Sequence, residues 1–333
     1  LNDLILERIT APSGLAGSVV GKIDFPPAFV PTPIRPEGDG SGPLPTVDSA
    51  IVMYTTAEAE ANADVLTPGV HHTDWLPYTH NWPVFEGQLT GRSPARDEKC
   101  MAHYYLTKIG TRTVLVAKSE LHLATDAKSL PVAQLFKQIV AEAKPGVVVD
   151  TGTAGGVGAT EVLGDVVYSS GVKANMAKSQ FADESWAQQR FAATYGWADR
   201  SYTNLAFSKL IPAAIGDALK PSGYASRMPQ AIWGKDVETV GYFAFADTAD
   251  SYGVVKNDPN AGVEEMDAAA MTLAFSQLEN APQWISLRNA SDPEMGGGTL
   301  AAQKKQAAAI YSKYGYWTTV SSALACWGLI ADM

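Results

Sequence analysis

The chain has 333 residues, of which 46% are hydrophobic and 18% charged, so it can build a sizeable core and wholesale disorder is excluded. Lys plus Arg number 25 against 35 Asp plus Glu, a net charge of −10. That balance argues against a nucleic-acid binder, which normally presents a basic face.

No apolar run reaches the length of about 18 residues that a spanning helix needs. The two cysteines, Cys100 and Cys326, lack CxxC spacing and have no paired His cluster beside them. A disulfide framework or structural zinc site is therefore not expected, although one long-range disulfide stays open. No signal-peptide pattern is recognised, and the expected compartment is the reducing cytoplasm.

Residues 1–48 stand apart. Pro26, Pro27, Pro31, Pro33, Pro36, Pro43 and Pro45 fall among Gly38, Gly40 and Gly42, which predicts an irregular N-terminal extension, with a short helix over Asn2–Thr10. Such a segment is a linker or an arm that wraps a neighbouring subunit. Regular structure is expected from residue 49 to the end as one domain. Ala50–Thr55 reads as a buried strand and Ala57–Leu66 as a helix. A long loop or insertion follows over residues 70–100, including a strand at Val84–Leu89. Ala102–Ile109 and Thr113–Ala117 form a predicted hairpin through Gly110. The periodicity of Leu130, Ala133, Leu135, Phe136, Ile139 and Val140 predicts an amphipathic helix over Leu130–Ala143.

Gly146–Asp150 reads as a buried strand, and Thr151–Gly156 as a Gly-rich turn. Strands are predicted at Asp165–Ser169, Ala231–Trp233 and Trp284–Asn289. Helices are predicted at Trp186–Tyr195, Asn204–Leu219, within Gly262–Leu278, at Leu300–Tyr314 and at Thr318–Ile330. Strands alternating with helices give an α/β class: a single three-layer domain around a mixed, mostly parallel sheet.

The turn TGTAGGVG lacks both GxGxxG and the P-loop GK[ST], so by itself it is a weak nucleotide signal. Three acidic segments accompany it. Tyr54–Glu60 sets Glu58 and Glu60 at a strand-to-helix junction, where open α/β sheets bind ligands. Gly262–Met271 crowds Glu264, Glu265 and Asp267 at a helix start. Ser286–Asp292 ends a strand in a polar cluster. Each alone has a plainer explanation, because acids favour helix N-termini.

Together and in this order the segments resemble the purine nucleoside phosphorylase and nucleosidase superfamily, from about Ala50 onward. VVDTGTAGG is similar to its central strand and turn, GDVVYSS to its GDIVVSD strand, VEEMDAAAM to VEMEAAA, and LRNASD to VRAISD. IVMYTTAEAEA resembles the opening of methylthioadenosine/S-adenosylhomocysteine nucleosidases rather than the Gly-Asp-Pro loop of phosphorylases. Leu121 also stands where phosphorylases hold phosphate with a serine.

The resemblance implies hydrolysis of the N-glycosidic bond of a purine nucleoside or derivative. A phosphate-dependent phosphorylase and a nucleosidase for AMP- or ATP-type nucleotides are the alternatives, the latter drawing on Arg92, Arg96 and Lys99. It assigns Glu60 to activating water and Asp292 to protonating the purine N7. Asp267 would hold the ribose hydroxyls, with Met266 against the sugar and Glu265 beside it. Thr153, Ala154 and Gly155 would border the water and the base. Trp233, Asp236, Glu238 and Thr239 match the base-cradling loop, with Glu238 where a stacking phenylalanine is usual and Trp233, Tyr242 or Phe243 left to stack. His122 reads as a core histidine or a contact to a 5′ substituent. No metal or other cofactor is implied. The expected partners are a small-molecule nucleoside and further copies of the chain, a dimer first, with no nucleic acid and no membrane.

Overall fold

The sheet is organised by one long strand. In the computed structural model, which describes residues 23–125, 127–158 and 161–333, the strands are β1 (Thr32–Ile34), β2 (Ser49–Met53), β3 (Leu76–Tyr78), β4 (Ala102–Ile109), β5 (Arg112–Ser119), β6 (Val147–Gly156), β7 (Val166–Tyr168), β8 (Gly171–Asn175), β9 (Arg190–Ala192), β10 (Ala231–Trp233), β11 (Asp236–Val240), β12 (Ala261–Glu265) and β13 (Gln283–Asp292). The principal helices are α1 (Thr56–Leu66), α2 (Pro131–Ala143), α3 (Ala268–Ser276) and α4 (Leu300–Asp332). The expected helix at Asn2–Thr10 lies outside the described residues.

β5, β2, β6 and β13 run parallel at the centre, and antiparallel pairs flank them. Alternation sorts the central side chains to two faces. Ile51, Met53, Val147 and Val149 pack with α1 and α4, and Ala50, Val52 and Val148 pack with α2 and α3. Burial on both faces explains why these strands read as continuous apolar runs. Each such Val or Ile contributes about 1.5–3 kcal/mol when fully buried.

β6 changes partner midway. β2 pairs with it only through Asp150, and β12 then joins the vacated edge antiparallel, setting Glu264 opposite Gly155. On its other edge β13 follows it along nearly its whole length. The Gly-rich segment Thr151–Gly156 is therefore strand, not the predicted turn: partners on both sides hold it extended.

Other differences are local. Val84–Leu89 is not a strand; Pro83 sits in the first turn of a short helix, Trp82–Glu86. Trp186–Tyr195 is not a helix; it turns and then forms β9 against β8. The two predicted C-terminal helices are one, α4, of 33 residues. It continues through Gly315, whose missing side chain lets the Tyr311 ring pack 3.2 Å from where a Cβ would stand. Among the described residues no helix is long and apolar enough to cross a membrane. β1 of the Pro-rich segment pairs with β4, and Phe29 O accepts from Trp327 Nε1 at 2.8 Å.

Candidate active site

A cavity opens where β6, β12 and β13 end and where α1 begins, with Ala307 and Tyr311 of α4 on one wall. The start of α1 is a capping box. Thr55 Oγ1 accepts from Glu58 N, while Glu58 Oε2 accepts from Tyr54 N at 2.8 Å and Thr55 N at 2.9 Å. The same carboxylate reaches across to β6: Oε1 accepts from Thr153 N and from Thr153 Oγ1, both at 2.7 Å. Gly152, at φ +145°, leaves the space this needs, since a Cβ there would lie 2.6 Å from Glu58 Cδ.

Glu58, not Glu60, therefore faces the cavity. Two residues on a helix rotate a side chain by about 200°. Glu60 points to the other side, where its charge bears on Asp64 and Tyr316.

Behind Glu58 lies a buried ionic network. Arg288 donates from Nε to Asp150 Oδ2 at 3.0 Å and from Nη2 to Asp150 Oδ1 at 2.8 Å, and Nη2 lies 2.9 Å from Glu265 Oε2. Tyr54 Oη and Ser286 Oγ also donate to Asp150, at 2.8 and 2.6 Å. Burial opposes the charge on Arg288, but Asp150 and Glu265 overcome it and raise its proton affinity. Glu265 additionally accepts from Asp267 N at 2.7 Å, from Ala268 N and from Thr239 Oγ1. It fastens β12 to the start of α3. Asp267 accepts from Leu123 N at 2.8 Å and lies 3.3 Å from His122 Nδ1, and Met266 lines the cavity beside them.

The far end is different. Asp292 ends β13 beside Gly155, and Ser291 Oγ donates to its Oδ1 at 2.9 Å. Burial pushes its carboxyl up to about 7, with the Ser291 hydroxyl pulling the other way. Glu264 faces it across Gly155, and burial first, then the charge of Asp292, pushes its carboxyl well above the ordinary range. Phe243 supplies the aromatic wall.

Of the residues singled out from the sequence, Asp292, Asp267, Met266, Glu265, Thr153, Ala154 and Gly155 meet at this cavity. Glu60, Asp236, Glu238, Thr239 and Trp233 do not line it. Trp233 stacks on Tyr168 at 4.2 Å, with Arg200 3.9 Å over its other face. Asp236 is bound by Arg190 at 2.6 Å, and Glu238 accepts from Asn175 Nδ2 at 2.6 Å beneath the sheet surface. Those positions alternate along β11, and only Val240 at its end reaches the cavity. Sequence reasoning placed Glu58, Arg288 and Glu264 in its three polar segments but gave none of them a role. A capping-box spacing marked the first, but the partners of the other two come from distant strands.

No family model matches the chain, and no curated protein sequence matches it. Solved structures do. The 5′-methylthioadenosine/S-adenosylhomocysteine nucleosidase from Neisseria meningitidis, in complex with methylthio-immucillin-A, is 16% identical, covering 86% of this chain and 99% of its own, with a TM-score of 0.51. An S-adenosylhomocysteine nucleosidase from Streptococcus pyogenes, in complex with 5-methylthiotubericidin, is 14% identical over 88% of this chain and 99% of its own, with a TM-score of 0.53. Futalosine hydrolase of Helicobacter pylori is 11% identical over 86% of this chain and 97% of its own, with a TM-score of 0.54. The chain shares their fold.

Proposed function

We propose that this chain hydrolyses the N-glycosidic bond of a purine nucleoside or nucleoside derivative. The observation that carries the proposal is Asp292, a buried carboxyl set beside Gly155 on the cavity wall, which burial pushes up to about 7. A group with that affinity is a proton donor at neutral pH. The solved structures of the same fold include nucleosidases in complex with methylthio-immucillin-A and with 5-methylthiotubericidin, which supports a nucleoside in the cavity.

In the proposed reaction the C1′–N9 bond breaks and its electron pair leaves with the purine. Asp292 delivers its proton to N7, so the base departs neutral. Water forms the new bond to C1′ and gives a proton to Glu58, whose carboxylate is fixed by Thr153 and the α1 backbone. Glu58 replaces Glu60 in this role because of its orientation. Asp267 retains acceptor capacity beyond its bond from Leu123 N and takes the ribose hydroxyls. Proton exchange with solvent resets both acids.

Water is favoured over phosphate by charge. Glu58, Glu265 and Asp267 line the cavity, and the single arginine among its lining residues, Arg288, is already bonded to Asp150 and Glu265. An incoming phosphate dianion meets net repulsion there. Arg92, Arg96 and Lys99 stand outside the cavity lining, which weighs against a nucleotide substrate.

The test is base release from a panel of nucleosides, 5′-substituted nucleosides and nucleotides, with phosphate removed or added. Free base and free sugar without phosphate are expected. Strict phosphate dependence with a sugar 1-phosphate product would make the protein a phosphorylase instead. A homodimer belongs to the same proposal, and light scattering on the purified chain checks it.

A further inference from the structure

Gly155 carries an acid on each side. Antiparallel pairing sets Glu264 of β12 opposite it, and the irregular end of the parallel β6–β13 ladder sets Asp292 opposite the same residue. A Cβ on Gly155 would meet Asp292 Oδ2 and Glu264 Oε1, each at 3.4 Å. The absent methyl therefore leaves a shared space into which both carboxyls turn, and both line the cavity.

The hydrolysis proposed above makes no use of Glu264. It is 3% exposed, and its Oε2 has no hydrogen-bond partner among the described residues. A buried carboxylate without donors is costly, so such a group keeps its proton. Its surroundings reinforce this: Glu265 and Asp247 also bear on it, and Tyr242 faces it. A neutral carboxylic acid donates one hydrogen bond. The cavity thus ends in two neighbouring O–H donors rather than one.

We propose that Glu264 and Asp292 together recognise a 6-oxopurine, Asp292 donating to N7 and Glu264 to O6 of the same base. This rests on the reading that the cavity takes a purine, and it names which purine. Along that edge a 6-oxopurine offers two acceptors, N7 and O6, whereas a 6-aminopurine offers one acceptor and one donor. A 6-aminopurine needs a single acid, which can donate to N7 and accept from the amino group. The O–H of Glu264 would then stay buried and unpaired, at the cost of a lost hydrogen bond. A 6-oxopurine satisfies both acids.

The test is calorimetric binding of the free bases hypoxanthine and adenine to the full chain at pH 6, where Asp292 holds its proton. Hypoxanthine is expected to bind at least ~10-fold more tightly, the scale set by one buried donor left unpaired. Glu264→Gln keeps an N–H donor and should keep the preference. Glu264→Leu should reduce it to within ~3-fold, with thermal melts showing both variants folded. Adenine bound as tightly as hypoxanthine by the unmodified protein overturns the proposal without any variant, as does binding of neither base at millimolar concentration. Base binding needs no bond cleavage, so the two readings fail separately. A hypoxanthine preference in a protein that hydrolyses nothing defeats the hydrolase reading and upholds the acid pair. Nucleoside hydrolysis with an adenine preference does the reverse.

Discussion

The two ends of the cavity hold the same chemical group in different settings. At the α1 end, Glu58 accepts from Tyr54 N, Thr55 N, Thr153 N and Thr153 Oγ1, and Glu265 is held by Arg288, Thr239 and two backbone amides. These donors fix both carboxylates in place, although burial still pushes Glu265 up to about 7 against the pull of Arg288. At the β13 end, Asp292 has the Ser291 hydroxyl and Glu264 Oε2 has no partner, and both carboxyls are pushed upward. All four side chains are buried, so what separates the two ends is how many donors each carboxyl has. One end holds its carboxyls in a fixed cage of donors. The other is built to hold a proton and give it up.

Removing the proton donor should break this contrast most severely. Asp292→Asn is expected to lower turnover by ~10²–10⁴-fold, the usual span for a lost general acid, while the protein stays folded. A folded variant with full activity would end the assignment. The sign of its pH behaviour follows from the raised carboxyl. Activity that depends on protonated Asp292 is complete below about pH 7 and lost as pH rises through it. The folded state also binds this proton more tightly than the unfolded chain, so stability falls as pH rises from the ordinary value of 3.8 to about 7, and the full cost is present above that. Asp292→Asn removes that cost, and its melting temperature at pH 8 should equal or exceed that of the unmodified protein.

The charged end should fail through stability. Arg288→Met leaves Asp150 and Glu265 buried without their cation and should cost about 3–5 kcal/mol of unfolding free energy, read from denaturant titration. An unchanged midpoint would mean the network is not ionised as described. A finer comparison sets Glu58→Gln against Glu60→Gln. The first should reduce kcat by ~10²-fold with kcat/KM following it. It should also weaken the cap by about 1 kcal/mol. The second should change kcat by less than ~3-fold, because it alters no cavity group. Equal losses in both would restore Glu60 as a candidate.

Much of the fold was legible because its signals are local. The hairpin of β4 and β5 turns at Gly110, which has φ +63°, and α2 follows its apolar stripe almost residue for residue. The errors share a cause. Thr151–Gly156 carries turn residues, yet pairing with β12 and β13 keeps it straight. Gly315 interrupts the helical pattern of α4, yet Thr318 and Thr319 hydroxyls bond its carbonyl and Tyr311 packs on it. In each case packing and hydrogen bonds, from other strands in the first and from within the helix in the second, outweighed a weak local preference.

The site divides the same way. By itself, the sequence determined that acids gather at the end of β2, at the start of α3 and at the end of β13, since spacing and residue type are written in the chain. Tertiary structure decided which acids serve. Helical phase turned Glu58 inward and Glu60 outward. The register of β6 against β12 and β13 brought Glu264 and Asp292 together over a residue with no side chain. Whether a carboxyl carries a proton depends on the donors and charges around it in space, and those arrive from elements 95 and 136 residues away in the chain.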